Sequence, residues 1–279
     1  MGIVLNTLSE QGKRALFYGL KQLTSTDDIT THQDVAYGEL PQQRLDIYLP
    51  STPPTACVMF IHGGSWQFGH RKEYAFVGQA LARQGVAALV LGYRLFPQVS
   101  YPEFVCDAAR ALAWFRRSSA SYGLAETSLY LMGHSAGAHI ALLAGLDGIF
   151  AQDFGYTQEL IRGIICLAGV YSFRPEKSVL FQKIFPAALC GDNYRQVKPV
   201  NLVSRDGTPL YLLHGRKDNT VACRSAERMY KNALLAGHPV DLDIRENYGH
   251  YAMLFDFLNY GNQQRLTLER LQQFMRNNP

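Results

Sequence analysis

Leu129-Tyr130-Leu131-Met132-Gly133-His134-Ser135-Ala136-Gly137, running on into Ala138-His139-Ile140-Ala141-Leu142-Leu143-Ala144, is the stretch that decides the fold. An apolar run of strand formers meets Gly133, and an Ala- and Leu-rich helical run starts just after Ser135. Between them stands Gly-x-Ser-x-Gly. A strand that turns sharply into a helix raises the serine hydroxyl above the sheet and turns backbone N–H groups toward it. A Cβ at either glycine would crowd that turn. The plain alternative is an ordinary strand-to-helix turn in which Ser135 only caps the helix.

Outward from this stretch, strands and helices alternate. Ala56–Ile61, Val86–Leu91, Ile161–Leu167 and Leu210–Leu213 are apolar runs of the kind that form strands buried on both faces. Tyr74–Gln84, Pro102–Ser119, Ala222–Ala236 and Leu266–Met275 carry helical spacing, and Val240–Arg245 reads as a last strand. Near the start, Gln33–Tyr37 and Arg44–Leu49 form an antiparallel pair, the second alternating polar and apolar side chains. The expectation is an α/β fold: a mostly parallel central sheet with helices on both faces and an antiparallel start. Ser172–Arg205 breaks the rhythm, with an apolar cluster around Pro186. A connection of that length is read as a lid or pocket wall inserted into a single domain spanning 1–279; helices that merely cover the sheet edge are the alternative.

Bulk properties bound the function. The chain has 279 residues, 47% of them hydrophobic, and a net charge of +4 with its basic residues scattered. No basic stripe for nucleic acid and no polybasic membrane patch is present. The five cysteines (57, 106, 166, 190, 223) are odd in number and widely spaced, as in a cytoplasmic protein with reduced, mostly buried thiols. The N-terminus lacks the apolar core of a signal peptide, and Ser9–Leu23 reads as an amphipathic helix. Met1-Gly2 starts like a myristoylation signal, but Asn6 stands where Ser or Thr is required. No segment reaches the ~20 apolar residues needed to cross a bilayer.

Serine hydroxyl is a poor nucleophile until a base takes its proton, and the base needs an orienting acid. Among eight histidines, His250 in Asn247-Tyr248-Gly249-His250-Tyr251 lies in the loop after the last strand, where a ring reaches the elbow. His62 and His134 sit in tight turns where backbone matters more than ring, and His139 covers a helix flank. His32, His70 and His238 read as surface residues, and His214 ends a strand. Asp218, a short polar loop beyond the strand ending at His214, is the favoured acid; Asp192, Asp206 and Glu246 are its rivals. An oxyanion needs N–H donors, each worth roughly 3 kcal/mol of barrier. Ala136 supplies one, and Gly63 and Gly64 in His62-Gly63-Gly64-Ser65-Trp66 are candidates for the others. Trp66, Phe68, His134 and Val221 are the candidate pocket residues. Arg94 and Asp107 are read as a structural pair.

The motifs HGGSW at 62–66, GYR at 92–94, GHSAG at 133–137, HGRKD at 214–218 and YGH at 248–250 together resemble the α/β-hydrolase superfamily. They are most similar to esterases with an HGG-type oxyanion loop related to hormone-sensitive lipase. HGG-x-W and QRLDIYLP at 43–50 also resemble the kynurenine formamidase and small carboxylesterase branch. The resemblance implies the α/β-hydrolase fold, a Ser135–Asp218–His250 triad, an oxyanion hole from Gly63, Gly64 and Ala136, and neither metal nor cofactor. Ser65 departs from the third glycine of many relatives.

The activity expected is hydrolysis of short- to medium-chain carboxylic esters through an acyl-enzyme, falling at acid pH as His250 protonates. An arylformamidase acting on N-formylkynurenine is the alternative, with an acyl-peptidase or a non-catalytic binding protein behind it. The expected partner is a small ester or formamide, with no nucleic acid and no membrane. The oligomeric state is left open, a homodimer being one option.

Overall fold

The computed structural model describes residues 28–258 and 262–279, without the side chains of 262–266. The expected helix at Ser9–Leu23 and the Met1-Gly2 start lie outside the described residues. Eight strands form one sheet in the order β1-β2-β4-β3-β5-β6-β7-β8. These are β1 (Ile29–Ala36), β2 (Arg44–Pro50), β3 (Ala56–Ile61), β4 (Val86–Leu91), β5 (Leu129–His134), β6 (Ile161–Leu167), β7 (Leu210–Gly215) and β8 (Val240–Arg245). β2 runs antiparallel to both β1 and β4, and every other pairing is parallel.

Burial on both sides explains the continuously apolar strands. Along β3, Cys57, Met59 and Ile61 enter the core on one face while Val58 and Phe60 enter the core on the other. The first core is covered by α2 (Glu103–Ser118) and α3 (Ala136–Leu146), and the second by α1 (Ala75–Arg83) and α8 (Asn262–Asn277). From α2, Phe104, Ala108, Ala111, Leu112 and Phe115 face inward, as the helical spacing of their sequence requires. Each fully buried Leu or Phe contributes about 1.5–3 kcal/mol. No helix among the described residues is long and apolar enough to cross a membrane.

Three details differ from expectation. β1 starts at Ile29 rather than Gln33, because Ile29–His32 pair with Ile47–Pro50 before a register shift at Asp34, whose φ is 58°. β2 is not half-exposed: Asp46 is buried, its carboxylate accepting from Arg71 Nε at 3.2 Å and from Asp34 N–H at 2.8 Å. A helix the apolar pattern did not reveal, α4 (Gly148–Phe154), follows α3 directly. The expected Arg94–Asp107 pair is present. Asp107, fully buried, accepts from Arg94 Nη2 at 2.7 Å, Arg94 N–H at 2.9 Å and Gln43 Nε2 at 2.7 Å.

The strand order fixes where chemistry can occur. β3 leads to β4 on one side, whereas the chain returns to place β5 on the other, so β3 and β5 are neighbours whose connections leave in opposite directions. A crevice opens above the carboxyl ends of such a strand pair. Ile61 pairs with Gly133, which brings the loop after β3 beside the turn after β5.

Candidate active site

β5 ends at His134 and α3 begins at Ala136, so Ser135 alone makes the turn, with φ 55° and ψ −118°. A positive φ at a residue carrying a Cβ costs about 1–3 kcal/mol and persists only when its surroundings enforce it. Here Ser135 N–H donates to Leu167 O at 2.9 Å, and Ser135 O accepts from Ala138 and His139 N–H at 3.1 and 3.2 Å. The flanking glycines are steric necessities. An added Cβ on Gly133 would lie 2.4 Å from Ala138 N, and one on Gly137 would lie 2.0 Å from Ile61 O.

The loop after β8 brings a ring to that hydroxyl. Ser135 Oγ donates to His250 Nε2 at 2.9 Å, and His250 Nδ1 donates to Asp218 Oδ2 at 2.8 Å. Asp218 accepts at Oδ1 from Thr220 and Val221 N–H, both at 2.8 Å, and at Oδ2 from His214 Nε2 at 3.2 Å. Burial opposes ionisation of Asp218, but the hydrogen bonds from His214 and His250 outweigh it and hold the carboxyl well below the usual range. A serine, a buried imidazole and an anionic carboxylate in this order can deprotonate the hydroxyl as it attacks and stabilise the imidazolium that results. The rival acids stand elsewhere. Asp192 and Asp206 are exposed, and Glu246 is solvated beside Arg216.

The loop after β3 crosses the same opening. A Cβ on Gly63 would lie 3.2 Å from Ser135 Cβ and 2.9 Å from His134 O, so only glycine lets this backbone approach the serine. Gly64, at φ 126°, turns the chain so that Phe68 N–H donates to Gly64 O at 2.8 Å.

Ser135, Ala136, Ser65 and Trp66 open onto a cavity of about 560 Å³, inside the roughly 300–1,000 Å³ of small-molecule sites. Phe173 and Phe181, from the long segment after β6, and Val221 complete its apolar wall. That segment holds one short helix, α5 (Val179–Ile184), and several single turns. It is tied down by His139 Nε2 donating to Val197 O at 2.9 Å and by Tyr101 N–H donating to Ile184 O at 2.8 Å. Trp66 meets Phe173, Phe181, Phe185 and His139 at ring-centroid distances of 4.9–6.0 Å. Its indole N–H has no partner among the described residues.

Of the four candidate pocket residues, Trp66 and Val221 line this cavity, whereas Phe68 and His134 do not. The turn at Gly64 carries Phe68 outward and leaves it 40% exposed. His134 lies beneath the site. Its ring, not only its backbone, matters: Nε2 donates to His250 O at 2.9 Å and the two rings lie 4.8 Å apart. Burial lowers its pKa to about 3, so it supports His250 as a neutral ring. His139 likewise covers no exposed flank but is fully buried, and His238 is buried with Nε2 donating to Thr208 O at 2.9 Å. His214, which its sequence position places only at a strand end, also contacts the carboxylate of Asp218. Its spacing of four residues from Asp218 within HGRKD was the available signal.

Burial lowers the pKa of His139 from the ordinary 6.5 to about 4. The unfolded chain therefore takes up a proton below pH 6.5 that the folded chain refuses, and stability is lost as pH falls from 6.5 toward 4. The slope is about 1.4 kcal/mol per pH unit. His139→Gln keeps a donor for Val197 O but cannot titrate. Its unfolding free energy between pH 6 and 4.5, measured in urea, should fall less steeply than wild type by about that slope. An unchanged slope would contradict a neutral buried ring.

A family model described as BD-FAE matches residues 45–233. A probable isoprenylcysteine alpha-carbonyl methylesterase of Oryza sativa subsp. japonica is 28% identical over 237 residues, 78% of this chain and 57% of that protein. The chain thus spans little more than half of that relative's length. Kynurenine formamidase of Danio rerio is 31% identical over 230 residues, 80% of this chain and 76% of that protein. Among solved structures, a truncated carbohydrate esterase from gut microbiota superposes with a TM-score of 0.75 at 19% identity, covering 90% of this chain and 98% of that one. That likeness concerns the fold alone.

Proposed function

The chain belongs to the BD-FAE family of α/β hydrolases, and from that premise we propose that it hydrolyses short- to medium-chain carboxylic esters through an acyl-enzyme on Ser135. The observation that carries this reading is the hydrogen-bonded line from Ser135 through His250 to Asp218 at the mouth of the cavity. Ser135 Oγ attacks the ester carbonyl while His250 Nε2 takes its proton. The carbonyl oxygen, now anionic, is met by the N–H of Ala136 and of the Gly63-Gly64 loop. The tetrahedral intermediate collapses, the alcohol leaves with the proton from His250, and the acyl group stays on Ser135. Water, deprotonated by His250, then attacks the acyl carbonyl and releases the acid and the free serine. Asp218 remains ionised throughout and keeps the proton on His250 Nδ1. In this reading the segment 172–205 acts as the acyl-pocket wall, Phe173 and Phe181 limiting chain length.

The likeness to kynurenine formamidase, which covers most of both chains, favours one second reading: hydrolysis of an aryl formamide such as N-formylkynurenine by the same steps. A p-nitrophenyl ester series from C2 to C12, assayed beside N-formylkynurenine, separates the two. The expected outcome is a maximum of kcat/KM among the short esters and a fall toward C12. A value for N-formylkynurenine above that of every ester moves the assignment to formamidase. Turnover of neither class rejects a hydrolase of these substrates.

A further inference from the structure

One wall of the cavity is neither apolar nor used by the triad. Arg224 and Arg228 both line it, one turn apart on α6 (Arg224–Ala236), with Ser225 between them. Residues four apart share a helix face, so the two guanidinium groups present together. Neither makes an ion pair among the described residues, and no acidic residue lines the cavity beside them. The nearby acid in sequence, Glu227, is engaged by Arg216 Nη1 at 2.5 Å. Asp218 is committed to His214 and His250. Ser225 Oγ, in a residue that also belongs to the cavity lining, is buried without a hydrogen-bond partner among the described residues.

Two features here raise the local positive potential, and a third leaves a hydrogen-bonding group unused. Like charges at this spacing repel, a cation in the first turn of a helix opposes the helix dipole, and a buried hydroxyl lacks its partner. An anion seated between the arginines relieves all three. A carboxylate suits them, since a planar guanidinium binds its two oxygens side by side and a serine hydroxyl can donate to one of them.

We propose that Arg224, Arg228 and Ser225 form a carboxylate-recognition subsite in the cavity that contains Ser135, so that the favoured substrates carry an anionic group away from the scissile bond. This inference rests on the hydrolase reading for its kinetic consequence, but the subsite itself is testable without turnover. Two matched pairs place the charge on either side of the ester: 4-acetoxybenzoate against its methyl ester, and mono-4-nitrophenyl glutarate against 4-nitrophenyl valerate. In at least one pair, kcat/KM for the anionic member should exceed that of the neutral one by roughly tenfold at low salt, as for a hydrogen-bonded charge. The ratio should shrink as sodium chloride is raised. It should collapse in Arg224→Gln/Arg228→Gln and return in part in Arg224→Lys/Arg228→Lys. Absence of preference in both pairs, or a preference that survives the double Gln variant, overturns the subsite.

The second measurement is calorimetric binding of 4-acetamidobenzoate and of acetanilide to Ser135→Ala. Roughly tenfold tighter binding of the anion, lost in the double Gln background, supports the subsite. Equal affinities overturn it whether or not the wild type cleaves esters. Failure of the wild type on every ester rejects the esterase reading alone, and the binding comparison then decides the subsite.

Discussion

Ser135→Ala should lower kcat on a short p-nitrophenyl ester by roughly 10⁴–10⁶-fold while leaving the unfolding midpoint close to wild type. The large kinetic effect follows from the order of the steps: with no Oγ, no acyl-enzyme forms, and His250 has no hydroxyl proton to take. The small structural effect follows from where the turn is held. Ser135 N–H to Leu167 O, and Ser135 O from Ala138 and His139 N–H, are backbone bonds that alanine retains. His250→Ala should cost about as much, and Ser135→Ala/His250→Ala hardly more than either, because the groups act as one unit. Asp218→Asn should cost about 10⁴-fold, through the wrong tautomer of His250. Independent, multiplying losses in the double variant would mean that the serine and the histidine do not share a step.

Gly137→Ala should be strongly destabilising. Its Cβ would lie 2.0 Å from Ile61 O, 2.5 Å from His62 O and 2.7 Å from Ile61 C. All three are backbone atoms at the end of β3, and β3 is fully buried between β4 and β5. No side chain can swing away. Relief requires α3 to retreat from β3, which parts the serine turn from the Gly63 loop. We expect a loss of about 3 kcal/mol or more in urea unfolding, with activity falling beyond what the residual folded fraction explains. Gly148→Ala is the control, since nothing lies within 4 Å of a Cβ added there and the expected change is within about 0.5 kcal/mol. A Gly137→Ala protein as stable as wild type would contradict the packing of helix on strand described above.

The same contacts explain why so much could be read from the chain. Gly133, Ser135 and Gly137 answer to local geometry, and local geometry leaves a pattern in neighbouring residues. The buried strands did so too, because burial on both faces removes polar residues altogether: β3 and β4 begin and end where their composition changes. Residues whose role depends on distant partners were less legible. His134 and His139 looked like turn and flank residues, since nothing nearby in sequence shows that one ring meets His250 and the other anchors Val197. Phe68 pointed outward because of a backbone turn at Gly64 that an aromatic-next-to-glycine pattern does not orient. Asp46 sat in what looked like an alternating, half-exposed strand, and its burial depends on Arg71, which arrives from another element. Arg224 and Arg228 share a helix face by their spacing, but nothing nearby in sequence shows that this face lines the cavity containing Ser135.

Covalent capture decides whether Ser135 is the nucleophile. Wild type and Ser135→Ala would each be treated with a fluorophosphonate, digested, and mapped by mass spectrometry. One stoichiometric adduct is expected, on the peptide bearing Ser135, formed together with loss of esterase activity and absent from the variant. An adduct on another residue, or full esterase activity in Ser135→Ala, would contradict it.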